Sequence, residues 1–250
     1  MALSNDTILF VGLGNPGEKY KNNRHNVGFM ALDCLSAFYK FGRSRTKFLG
    51  RTAMGSLEER KLISFKPQTF MNESGRAVRE ASNFNKIGPE RIIVFHDELD
   101  LPFGQVRVKK GGGHAGHNGL RDILKVIGSD FVRLRFGIGH PPNKEQTDAW
   151  VIKKPNPQEK EKMAIAFEKA INNIDKILLK EFYIFVIANG PSCNDKLECA
   201  GRRNYATGRA GSLGFRITRT LFAIAKILSP VFTSLSHKES PESGSLFLLA

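Results

Sequence analysis

The chain has 250 residues, 41% apolar and 25% charged, which is ordinary usage for a globular protein. That length suits one large domain, or a domain with an appendage, and it supports a core without metal or disulfide staples. Three cysteines (Cys34, Cys193, Cys199) cannot build a disulfide framework, and no C-x-x-C pair offers a zinc knuckle. No stretch of eighteen apolar residues occurs, so no membrane-spanning helix is expected. Met1–Asp6 has no basic n-region, so the expectation is a cytoplasmic chain without a leader. Lys and Arg number 38 against 24 Asp and Glu, a net charge of +14. Such an excess favours polyanionic partners, either nucleic acid or an anionic membrane surface.

The first 188 residues read as alternating strands and helices. Thr7–Gly12 is a buried-strand run. From His25 to Phe41, apolar residues at Val27, Met30, Ala31, Cys34, Leu35 and Phe38 keep helical spacing. Lys61–Phe65 is a strand ended by Pro67, and a helix follows over about 72–85. Arg91–His96 is a second strong strand, and Gln105–Val108 a short one. A helix over Asn118–Ile127 and a strand over Val132–Ile138 come next. A last helix has a legible start, with Asn156 as cap, Pro157 in its first position and Glu159 closing a capping box. Phe167, Ala170, Ile171, Ile174, Leu178 and Phe182 then share one face. The pattern predicts a single α/β domain over 1–188, with a mixed central sheet flanked by helices.

From about Asn189 the texture changes to irregular Gly, Ser, Arg and Pro, broken by one apolar stretch at Leu221–Leu228. Residues 189–250 are expected to be an irregular C-terminal extension, disordered or loosely docked. Residues 190–250 hold eight basic and four acidic side chains, so the preceding chain keeps +10 of the +14.

Several motifs carry potential chemistry. Gly12, Gly14 and Gly17 satisfy G-x-G-x-x-G after a strand. The match is incomplete, because Pro16-Gly17 marks a turn rather than a helix start, and Asp33 falls inside a helix rather than after a second strand. His25 lies at or before a helix N-terminus, which disfavours a cation and keeps an imidazole neutral, as a general base requires. A capping or packing role is the alternative. Asp97, Glu98 and Asp100 end a strand, where one acid can orient a histidine. They can equally form a solvated turn, or share a metal with His96, His114 or His117, although no tight ligand spacing appears. Lys109–Leu120 is a glycine-rich loop running into a helix, suited to an anion or to close substrate approach. Asn15 reads as a turn residue, and Asn72 and Asn118 as helix caps. Each can instead present an amide to a carbonyl or a developing oxyanion. No G-x-S-x-G elbow exists, so water activated by His25 is the expected nucleophile of any hydrolase.

These residues converge on a family. Phe10–Gly17 with Tyr20 and Arg24–Gly28 resembles the opening of bacterial peptidyl-tRNA hydrolase. Lys66–Gly75, His96–Gly104, Gly112–Leu120 and Asp130–Gly139 are similar to its later signatures, in order. The resemblance implies hydrolysis of the ester joining a peptide to tRNA, without metal or cofactor, by a monomer with no obligatory protein partner and no membrane. It implies His25 as catalytic base and Asp97 as the acid holding its basic form. Asn72 and Asn118 correspond to amides that hold the peptide and the reacting carbonyl or water, and Asn15 to the residue that discriminates blocked from free aminoacyl ends. Tyr20, Phe70, Met71 and His117 match substrate-site positions, and Lys109 and Arg135 positions that contact tRNA phosphate. Asn23 stands where the family usually has threonine, and the tail matches nothing in the family pattern. A tRNA substrate accounts for the +10 body, since phosphate contacts dominate such affinities. Lys40, Arg43, Arg45, Lys47 and Arg51 form a further basic cluster, read as an aid to RNA binding or as a solvated loop. Competing readings are a non-catalytic RNA-binding module, a nucleotide-dependent oxidoreductase and a metallohydrolase.

Overall fold

Ile8–Gly12 forms β1, buried at every position, as an uninterrupted apolar run requires. In the computed structural model, which describes residues 7–178, this strand sits inside a seven-stranded sheet. From one edge the order is β2 (Arg45–Lys47), β3 (Gly50–Leu57), β4 (Arg60–Pro67), β1, β5 (Ile92–Glu98), β7 (Val132–Gly137) and β6 (Val106–Lys110). The pairs β4–β1, β1–β5 and β5–β7 are parallel, and β2–β3, β3–β4 and β6–β7 antiparallel. The predicted mixed sheet is therefore present.

Side chains alternate across β1 and build two cores. Ile8 and Phe10 pack with α1 (Val27–Phe38), α5 (Pro157–Asn172) and α6 (Ile174–Leu178). Leu9 and Val11 pack with α2 (Ser74–Phe84) and α3 (Asn118–Ile127) on the other face. The chain leaves β1 towards β4 on one side and returns to β5 on the other. This opens a crevice at the carboxyl ends of β1 and β5, the usual place for a site in such sheets. Gly28 lets α1 close over that crevice: a Cβ there would lie 2.2 Å from the Phe95 carbonyl oxygen and 2.6 Å from the Leu13 nitrogen.

Three expectations need correction. α1 stops at Phe38 rather than Phe41, because Lys40 turns to φ 51° and the Phe41 amide bonds back to the Ser36 carbonyl. The predicted last helix breaks at Asn173, whose side chain bonds the Lys169 carbonyl, before α6 begins. Phe182, the boundary at 188 and the tail lie outside the described residues. The basic segment around 43–51 contains a strand hairpin rather than a loop. Arg45, Thr46 and Lys47 are all exposed, so no apolar alternation marks it. The short helix α4 (Thr147–Ile152) was also not predicted. No helix among the described residues is long and apolar enough to cross a membrane.

Candidate functional site

β5 carries His96, Asp97 and Glu98 to the crevice, all buried. The acids of this turn, read from sequence as one cluster, have separate partners. Glu98 Oε2 accepts from Arg135 Nε at 2.8 Å, and Asp100 Oδ1 lies 2.9 Å from His140 Nε2. Asp97 faces two histidines. His25 Nδ1 lies 3.0 Å from both of its carboxylate oxygens, and His117 Nε2 is 2.9 Å from Oδ1.

His117 Nδ1 accepts from the amides of Gly119 and Leu120, so its proton sits on Nε2 and points at Asp97. His117, and not Asn118, is thus the cap of α3, and Asn118 is the helix's first residue. Asn72 is no cap either: it lies inside a 3-10 turn, Met71–Glu73, and is exposed. Gly119 lies under Met71, whose sulfur would sit 2.6 Å from a Cβ at that position.

His25 lies in a 3-10 turn, Arg24–Asn26, just ahead of α1. Burial works against its charged form, but the Asp97 carboxylate and its hydrogen bond, with Asp148 adding, outweigh that and raise its pKa above 6.5. The expectation that the helix end would favour the neutral ring is corrected: a carboxylate at hydrogen-bond distance overrides a partial dipole charge. Burial would raise the Asp97 pKa, yet His25 and His117 hold it well below 3.8, so Asp97 is ionised. With Nδ1 held by Asp97, the remaining nitrogen of neutral His25 is Nε2, the basic one. His96 is a different case. Burial first, then His117, push its pKa down to about 3, and its Nδ1 bonds the Asp97 carbonyl at 2.7 Å.

A cavity of about 220 Å³ is lined by His25, Asp97, His117 and Asn118, with Thr147, Asp148 and Val151 of α4 on its far wall. Asn15, Met71 and Asn72 do not line this cavity, and Asn15 is held to Asn26, the neighbour of His25. The Asn15 backbone exchanges two 2.9 Å hydrogen bonds with the Asn26 side chain, and its Oδ1 accepts from the Met71 amide at 2.8 Å. Asn15 is therefore no mere turn residue: it ties the loop after β1 to the Met71–Asn72 turn. Tyr20 is half-buried with Lys19 over its ring, and Phe70 is exposed. Neither they nor Lys109 and Arg135 line the cavity. Lys109 is exposed on β6, and Arg135 reaches the cavity only through Glu98.

Other residues of the site were missed in the sequence. Arg24 is buried, bonds Glu159 at 2.7 Å and lies 4.0 Å from the Trp150 ring centroid, which locks the His25 turn to α4 and α5. Arg24 stands in the first signature, but nothing local marks its burial or its bond to Glu159, 135 residues away. Asn26 adjoins His25 inside the first signature and was assigned no role, while Arg133 holds the carbonyls of Gly112 and Gly113 in the glycine-rich loop. One ligand atom from each of His25, Asp97 and His117 lies within 4.8 Å of the others, so among the described residues these three form a group that could take a cation. It keeps Asp97 and His117 of the group considered in the sequence and puts His25 in place of His96 and His114, and a cation there would compete with the hydrogen bonds that join them.

Comparison with known proteins adds independent findings. The peptidyl-tRNA hydrolase family model matches residues 9–186. A peptidyl-tRNA hydrolase of Rhodospirillum centenum is 56% identical over 144 residues, and one of Dinoroseobacter shibae 57% over 144. Each alignment covers 58% of this chain, and the chain spans only 63% and 61% of those two relatives. The crystal structure of peptidyl-tRNA hydrolase from Acinetobacter baumannii superposes with a TM-score of 0.68 at 40% identity, covering 72% of this chain and 92% of that one.

Proposed function

Because the chain belongs to the peptidyl-tRNA hydrolase family, we propose that it hydrolyses the ester joining a peptide to tRNA and releases both. The observation that carries the reading is the pairing of His25 Nδ1 with both oxygens of Asp97, on a side chain that lines the cavity. His25 Nε2 takes a proton from water as that water attacks the ester carbonyl. Asp97 stabilises the imidazolium that forms. Asn118 and Asn72 offer amide N–H groups to the carbonyl oxygen as it gains charge. The tetrahedral intermediate then collapses: the bond to the ribose oxygen breaks, and His25 returns its proton to that leaving oxygen. Carboxylate and free tRNA result, with water consumed.

Asn15 Oδ1 is occupied by the Met71 amide, so its Nδ2 serves the substrate. It bonds the carbonyl of a blocked amino end, which explains preference for peptidyl over free aminoacyl esters. Tyr20, Phe70, Met71 and His117 shape the peptide side, and Lys109 and Arg135 meet tRNA phosphate. The enzyme works as a cytoplasmic monomer, without metal or cofactor.

The test is cleavage of N-acetyl-aminoacyl-tRNA beside the free-amine aminoacyl-tRNA, with and without chelator. Chelator-resistant cleavage of the blocked substrate alone is expected. Tight tRNA binding with no cleavage would replace the enzyme with an RNA-binding module, and loss of cleavage on chelation would replace it with a metallohydrolase.

A further inference from the structure

The β2–β3 hairpin and the end of α2 enclose a second groove, of about 410 Å³, at the edge of the sheet away from His25. Arg43, Arg45 and Lys47 stand along it, and Phe48, Met54 and Phe84 form its apolar wall. No acidic residue lines it. None of the three cations has a carboxylate partner among the described residues.

The aromatic part is built rather than accidental. Phe84 is 67% exposed and Met54 63%, large apolar areas for a protein to leave in water. The Phe48 and Phe84 rings lie 4.8 Å apart at 45°, and Lys47 Nζ is 5.8 Å from the Phe84 centroid. Phe48 and Leu49 form the two-residue hairpin turn, both at φ 55°, a conformation that side chains of this size adopt only under constraint. The Gln68 amide anchors the turn by bonding the Leu49 carbonyl at 2.8 Å.

Cations without acids repel basic chains and attract phosphate, and aromatic faces set among cations are how proteins hold an unstacked base. The groove lies well away from the ester site. β2 is four strands from β5, roughly 19 Å at about 4.8 Å per strand. Its occupant is therefore a part of the RNA other than the reacting end. We infer that this groove is a second RNA-contact surface, in which an unpaired nucleotide of the substrate's RNA body stacks on Phe84 and Phe48 while adjacent phosphates meet Arg43, Arg45 and Lys47. The identity of that RNA as tRNA rests on the hydrolase reading above. Because the contact is remote from the ester, it acts on ground state and transition state alike, and so on KM rather than kcat.

The test uses the full chain with the triple variant Arg43→Ala/Arg45→Ala/Lys47→Ala and, separately, Phe84→Ala and Phe84→Trp. Affinity for deacylated tRNA is measured across salt concentrations. Hydrolysis is measured on N-acetyl-aminoacyl-tRNA and on the same acyl ester of adenosine, which lacks the RNA body. The triple variant is expected to lose roughly tenfold in tRNA affinity and about two to three units of log–log salt slope, at 0.7–0.9 per lost phosphate contact. Phe84→Ala is expected to lose roughly fivefold or more with the slope unchanged, and Phe84→Trp to keep affinity. KM for the tRNA ester rises, while kcat and adenosine-ester hydrolysis stay as in the parent. Unchanged tRNA affinity and slope in the triple variant would overturn the inference, as would an equal loss on the adenosine ester or a loss confined to an acidic peptide. If the variants lose tRNA affinity but the parent cleaves neither ester, the hydrolase reading fails and the RNA surface stands.

Discussion

Under the proposed mechanism a protonated His25 cannot accept a proton from water, so the raised pKa of this residue is expected to set the acid limb of the reaction. The predicted profile of kcat/KM falls with unit slope below an apparent pKa above 6.5 and is flat on the alkaline side of it. Asp97→Asn removes the carboxylate that raises that pKa. The limb is then expected to move to lower pH, while the plateau drops on the order of 100- to 10,000-fold, because the ring loses its tautomer and its counter-charge. A plateau lowered with no shift of the limb would show that Asp97 does not set the His25 charge. The types and positions of these two residues were legible in the sequence, one at a helix start and one at a strand end. The direction of the pKa was not, because it depends on a 3.0 Å contact between residues 72 positions apart. His117 is a similar case: the helix start was legible, but the cap was assigned to Asn118, since an imidazole accepting backbone amides leaves no mark in the sequence pattern.

Most elements were legible where burial imposes a period. β1, β5, α3 and the start of α5 follow the predicted runs closely. β2 did not announce itself, because an edge strand with exposed Arg, Thr and Lys has no buried face to encode, and β3 buries Gly50 and Ala53, whose spacing of three is not a strand period. Between elements, sequence showed only half of what Glu159 does. Its capping-box role was readable and is present, with both reciprocal hydrogen bonds at 2.8 Å. Its bond to buried Arg24, 135 residues away, was not. Glu159→Gln keeps a capping side chain but leaves the Arg24 charge without its counter-ion. The predicted loss on urea unfolding is on the order of 3 kcal/mol, against about 1 kcal/mol for Asn156→Ala, which removes only the cap. Equal losses in the two variants would mean that Glu159 acts as a cap alone.

At the scale of the whole molecule, the +10 that precedes residue 190 should carry RNA binding without help from the tail. A chain ending at residue 188 is predicted to unfold cooperatively and to cleave N-acetyl-aminoacyl-tRNA at the parent's kcat. Loss of either property would place part of the catalytic domain beyond that boundary. The amino-acid sequence by itself determined the α/β class, the basic character, the strands and helices that carry apolar periodicity, and the five ordered signatures that hold the candidate site. These are local properties: neighbours in the chain set dihedral preferences, and one face or two must be apolar to be buried. Only the tertiary structure decided which histidines share Asp97, that Asn15 bridges to Met71, that Arg24 pins the His25 turn to α5, and that a basic hairpin and the end of α2 form a groove. Each of these joins residues far apart in sequence. Their geometry is set by the order of strands in the sheet, which no single segment encodes.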